Sequence, residues 1–147
     1  MAQTADITAI VVASINTLAA VVGLWGWWRW ETPRAFWPIA RTGQLATTVL
    51  AGVAAVAIVT GFKPSDNLFW LYLLLPIAIS IIAEQLRIAS AQMILDVHGL
   101  EDAQAVGRLP EDEQHGIVQE IVRRETLVLA LAALVIAFLA FRVVVTT

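Results

Sequence analysis

The chain has no cysteine, which removes disulfides, thiolate zinc sites, iron–sulfur clusters and cysteine nucleophiles together. Charge is scarce. Asp, Glu, Lys and Arg make up 14% of the 147 residues, against about 25% in an ordinary soluble domain. Nine basic residues face 12 acidic ones, for a net charge of −3, so the composition carries no nucleic-acid footprint and no nucleic-acid partner is expected. There is no glycine-rich phosphate loop, no GxSxG elbow and no HExxH pair. Ser and Thr occur without a neighbouring His base, which leaves nucleophilic catalysis without visible machinery. Neither His98 nor His115 lies in an apolar stretch, so a haem inside a membrane would have no His ligand, and Met93 is a lone, weak alternative. These absences lead to an expectation of a non-enzymatic protein with no cofactor.

Apolar residues are abundant: 59% of the chain is hydrophobic and the mean hydropathy is +0.78. A bilayer core about 30 Å thick needs roughly 20 apolar helical residues to cross it. Four stretches approach that length, at about 7–28, 37–60, 68–84 and 126–145. A cleaved signal peptide is the competing reading of the first, but no basic region precedes it and its apolar run is too long. The expected fold is therefore all-α. It is a single domain over 1–147, a polytopic membrane protein whose four transmembrane helices form an antiparallel bundle, with a helical extension at about 85–124 between helices three and four.

Arg29, Arg34, Arg41, Arg87, Arg108, Arg123 and Arg124 fall on one side of this arrangement, and only Lys63 and Arg142 on the other. Positive residues collect in cytoplasmic loops. The loops at 29–41 and 85–124 are thus expected in the cytoplasm, both termini outside, and the protein in the cell membrane. Aromatic residues mark both interfaces: Trp25, Trp27, Trp28, Trp30, Phe36 and Trp37 at the first turn, Phe62, Phe69, Trp70 and Tyr72 around the second. Arg29 and Arg34 are the candidate cation–π partners of the tryptophans, and Arg142 is expected to snorkel to the nearer surface.

Helices in lipid associate through close backbone approach, which small residues at four-residue spacing permit. Ala9, Ala13 and Thr17, then Ala19 and Gly23, form such a ladder in the first span. Gly43, Thr47, Ala51 and Ala55, with Thr48 and Gly52 beside them, form one in the second. The short turn from Gly61 to Asn67 is expected to pair helices two and three, with Ser65, Asp66 or Asn67 capping the third. Pro76 removes one backbone hydrogen bond inside that helix and is expected to bend it.

The extramembrane stretch is acidic. Asp96, Glu101, Asp102, Glu111, Asp112, Glu113 and Glu120 face Arg108 alone between 96 and 120. Gly99 reads as a helix stop, Leu100, Ala103 and Val106 as a short amphipathic turn ended by Gly107, and Pro110 followed by three acids as a helix start. That helix is expected to run straight into the fourth span. A solvated face and a docking surface for a basic partner are both open readings of the acids. Asp96, His98, Glu111, Asp112, Glu113 and His115 form a weaker metal-like grouping, and no metal is expected.

The strongest constellation is a polar band: Arg41 and Gln44 entering helix two, Glu84, Gln85, Arg87 and Gln92 leaving helix three, and Arg123, Arg124 and Glu125 entering helix four. Ionisable groups at a membrane margin are costly unless paired. Glu84 with Arg87, three apart, and Glu120 with Arg124, four apart, are the expected pairs. The band is an interhelical clamp, a site for a headgroup, quinone or anionic ligand, or part of an ion or proton pathway. No acidic or basic residue lies deep in the outer half, and Asn16 is the one amide in mid-span, helped at most by hydroxyls such as Ser14 and Ser80, which weighs against a polar path through it.

The stretch Ala83-Glu84-Gln85-Leu86-Arg87-Ile88-Ala89-Ser90-Ala91-Gln92, followed by 105–110 and 121–125, resembles a pattern in small four-span membrane proteins of high-GC, chiefly actinobacterial, bacteria. The resemblance implies the four-span architecture and no activity. The expected function is that of a scaffold or accessory subunit of a membrane complex, in contact with lipid and with other subunits or further copies of itself. A small homo-oligomeric channel or carrier, or a lipid- or quinone-binding protein, is the alternative.

Overall fold

A computed structural model describes residues 2–31, 33–64 and 66–146. Its helices are α1 (Ala2–Trp28), α2 (Phe36–Val59), α3 (Leu68–Val97), the single turn α4 (Ala103–Val106) and α5 (Glu111–Thr146). There is no β-strand among the described residues. The four long helices are each long and apolar enough to cross a membrane, and the protein is a multi-pass membrane bundle.

The distribution of residue sizes supports that assignment. The interior is built largely of alanine, including Ala5, Ala9, Ala19, Ala20, Ala54, Ala57, Ala83, Ala130, Ala133 and Ala140, while Ile7, Leu18, Val21, Leu45, Val59, Ile81 and Phe138 face outward, each more than half exposed. In water this would be inverted, because large apolar side chains gain most from burial. In lipid a leucine gains nothing by turning inward, and small residues inside let the backbones close up.

Helix α5 packs along both α1 and α3, and α1 along α2, whereas α2 and α3 touch far more sparingly. The turn at 61–67 does place α2 and α3 side by side, but their faces do not close. Gly43 and Thr47 of the expected α2 ladder are buried, yet Ala51 is only half-buried and Ala55 exposed; Leu50, Ala54 and Ala57 continue the contact instead. Thr48 and Gly52 point outward, and a Cβ added at Gly52 would meet nothing within 4 Å. In α1, Ala9, Ala19 and Gly23 are buried, Ala13 is half-buried, and Thr17 is exposed.

Helix α3 runs unbroken through the buried Pro76. Of the three expected caps, Asp66 serves: its Oδ1 accepts from the Leu68 N–H at 2.9 Å, while Asn67 makes no side-chain cap. Ser65 lies outside the described residues. Beyond the bundle, α3 ends at Val97 and the chain turns away at Gly99, whose φ of +72° is the left-handed conformation glycine adopts without strain. Asp102 caps α4 through the Ala105 N–H, and α5 starts at Glu111, behind Pro110. Ile94, Leu95, Val106 and Ile117, with Leu100, Leu109 and Ile121 against them, give this lobe a small core of its own.

Candidate functional site

The lobe ends of α2, α3 and α5 bring five of the nine band residues into one network. Glu84 is the hub. Its Oε1 accepts from Gln44 Nε2 at 2.6 Å and from Arg41 at 3.0 Å, and its Oε2 accepts from both Nε and NH2 of Arg87 at 3.0 Å. Arg41 also donates to Gln44 Oε1 at 2.6 Å, and Arg87 reaches on to Glu125 at 3.7 Å. Two guanidinium groups therefore face two carboxylates, and the charge of the network sums to zero. Arg87, one turn beyond Glu84 on the same face of α3, joins that helix to α5, and Gln44 joins it to α2.

The other four band residues go elsewhere. Gln92 donates to Asp96 and to the Glu101 carbonyl, bracing the lobe. Gln85 is exposed on α3 beside the α2–α3 gap. Arg124 donates to Met93 Sδ at 3.4 Å, and Glu120 pairs with His98 at 3.2 Å, so the expected Glu120–Arg124 pair does not form. The reason is the course of α3, whose end at His98 lies along α5 and offers Glu120 a closer partner. His115 lies near Glu111 at 3.8 Å, and among the described residues no group of three or more His, Asp or Glu side chains gathers as a metal site would require.

Arg123 is the residue whose role sequence spacing misplaced. It sits 3.5 Å from the Trp30 ring centre and 4.5 Å from that of Trp27, and donates to the Trp27 carbonyl. Arg29 stacks on Trp25 as expected, but the second cation in the tryptophan cluster arrives from α5. Trp30 adopts φ +61°, a left-handed conformation that costs a non-glycine residue about 1–2 kcal/mol. The Arg123 stack and a weak bond from Gln119 to the Trp30 carbonyl hold it there. Arg123→Ala is expected to lower stability by about 1–2 kcal/mol and to shift the tryptophan emission, whereas Arg123→Lys should recover part of both. Fluorescence through a thermal melt in detergent reads both effects. At the far end, Arg142 snorkels to the Tyr72 ring at 5.3 Å.

Of the mid-span hydroxyls, Ser80 differs from the rest in its bonding. Thr8, Ser14, Thr17, Thr42, Thr47, Thr48, Thr60, Thr126 and Thr146 each donate their hydroxyl to the carbonyl four residues earlier, the usual solution in an apolar environment. Ser80 does not: its Oγ is buried and has no hydrogen-bond partner. It lines a small internal void of about 20 Å³ with Asn16 and Gln44, and also a lateral groove of about 380 Å³ between α2 and α3. Asn16 is buried, donates to the Val12 carbonyl, and fits against α2 because Gly43 has no side chain there.

The fold and site together define a class: a polytopic membrane protein of four long helices with a charge-balanced polar network at one end and a small acidic lobe beyond it. Compared with known proteins, the chain matches no family model, no curated protein and no solved structure.

Proposed function

We propose that the protein is a non-enzymatic scaffold or accessory subunit of a membrane complex, with the lobe in the cytoplasm as its docking surface. The observation that carries this reading is the closure of the band on itself: Glu84 engages Arg41 and Arg87, and Arg87 engages Glu125. A clamp whose charges are spent internally orders helices and has none left for an ionic ligand. Unspent charge resides in the lobe. There a groove of about 540 Å³ has Leu109 and Ile117 in its floor and His98, Glu113 and Glu120 around it. An apolar floor with an acidic margin suits a partner segment that carries an apolar side chain flanked by Lys or Arg.

Native mass spectrometry of the protein gently extracted from its own membranes tests this. The expected result is a defined complex with another polypeptide, weakened by salt and lost in the double variant Glu113→Lys/Glu120→Lys. A chain found alone, or a complex indifferent to that reversal, would overturn the reading. The absence of cysteine makes His115→Cys a clean single label. Its modification by an impermeant maleimide only from the cytoplasmic side is the expected result for the orientation, and modification from outside would invert it.

A further inference from the structure

We infer that the α2–α3 groove is a binding site for a neutral, oxygen-headed amphiphile drawn from the surrounding leaflet. The groove exists because these two helices, though joined by a short turn, do not close. Ala51 on α2 and Ile77 and Ile81 on α3 form its apolar walls; Gln44, Glu84 and Gln85 stand at its lobe end. At about 380 Å³ it falls within the roughly 300–1,000 Å³ usual for small-molecule sites, and at that depth its contents arrive through lipid.

Ser80 supplies the reason to expect more than a passing acyl chain. A buried hydroxyl without a partner is costly, and nine other hydroxyls of the bundle avoid that cost by bonding to their own helix. Ser80 stays unsatisfied at the wall shared by the groove and the void beside Asn16 and Gln44. That void is large enough for at most one water, which needs roughly 10–15 Å³ and two or more polar neighbours, and such a water would compete with a ligand oxygen for the same hydroxyl. Once the Ser80 hydroxyl turns about its Cα–Cβ bond from its buried position towards the groove, a carbonyl or hydroxyl oxygen entering there would accept from it, with the Gln85 amide within the same lining as a second donor. The head should be uncharged, because the neighbouring guanidinium and carboxylate groups already neutralise one another. Two kinds of membrane solute share this chemistry, a quinone and a neutral glyceride.

The test uses the full chain in phosphatidylcholine nanodiscs with two photoreactive probes, a short-tailed benzoquinone and a diacylglycerol, each with the reactive group next to the head. Labelling is mapped by peptide mass spectrometry. Either probe, or both, should label 44–51 and 77–85 saturably, and which of them does so identifies the source. Ser80→Ala should weaken binding about fivefold, the value of one hydrogen bond, and should melt no lower than the wild type, since it removes an unpaired buried hydroxyl. Ala51→Phe, which fills the groove, should abolish binding and keep the wild-type melting temperature. Labels spread evenly over outward residues such as Ile7, Leu45 and Phe138 would overturn the inference. So would unchanged binding in both variants, or displacement of the probes by anionic phosphatidylglycerol but not by unlabelled neutral competitor.

Discussion

Gly23→Ala is expected to destabilise the bundle by about 1–3 kcal/mol, the range for overpacking a tight interior, and Gly23→Leu to prevent α1 from docking. A Cβ at position 23 would stand 2.5 Å from Phe36 Cε2, 2.8 Å from the Ala130 Cβ and 3.0 Å from Phe36 Cδ2. Phe36 cannot step aside. It is fully buried, clustered with Ala40, Ala83, Leu129 and Ala130, and held edge-on by Trp37 with ring centres 5.2 Å apart. The added methyl must therefore separate α1 from α2 and α5 at the point where all three converge. In lipid that loss is not made good by hydrophobic burial, since the separated surfaces meet acyl chains instead of water. Gly52→Ala is the matched control, because nothing lies within 4 Å of its Cβ position; it should leave stability unchanged or slightly raised through helix propensity. Unfolding of the two variants in bicelles compares them directly. Equal stability of Gly23→Ala and wild type would contradict the packing of α1 against Phe36.

Much of this architecture was legible because a bilayer leaves few choices. Backbone groups in hydrocarbon must be satisfied within the segment, so a long apolar run is a helix, and the runs at 7–28 and 126–145 could hardly be anything else. Gly99, Gly107 and Pro110 were equally plain, since each acts through its own backbone. Which helices close on one another was not legible. The turn at 61–67 predicts neighbours, but contact is decided by which faces are small, and Ala51 of α2 looks onto Ile77 and Ile81 of α3 across an open groove. In the polar band, spacing identified Glu84 with Arg87, a pair within one helix. Spacing does not rank partners lying on different helices: Arg123, in register with the band, stacks on Trp27 and Trp30, and Arg124 meets Met93 instead of Glu120. Ser80 is legible only as one mid-span hydroxyl beside Ser14, with nothing to set the two apart. A serine in an apolar helix ordinarily bonds to its own backbone, and only the three-dimensional arrangement distinguishes one that does not.

Removing the hub of the band should separate the clamp from a conduction site. Glu84→Ala leaves Arg41, Gln44 and Arg87 without their shared acceptor, and Glu125 becomes the sole carboxylate facing two guanidinium groups. Orphaning a fully buried charge costs about 3–5 kcal/mol. Here the Glu84 side chain keeps 30% exposure and that of Arg41 51%, so solvent takes up part of the loss, and a decrease of about 2–3 kcal/mol is expected. Glu84→Gln preserves shape but replaces one acceptor oxygen by an amide that can only donate, and it should lose somewhat less. Arg87→Gln alone should cost a similar amount, and the double variant Glu84→Gln/Arg87→Gln less than the two added together, because the second change removes a partner already lost. A clamp has no further consequence: ion flux through liposomes containing wild type or Glu84→Gln should both stay at background. Flux in the wild type that Glu84→Gln abolishes, while the folded fraction is held equal, would reject the scaffold reading and make the Arg41, Glu84 and Arg87 cluster part of a carrier.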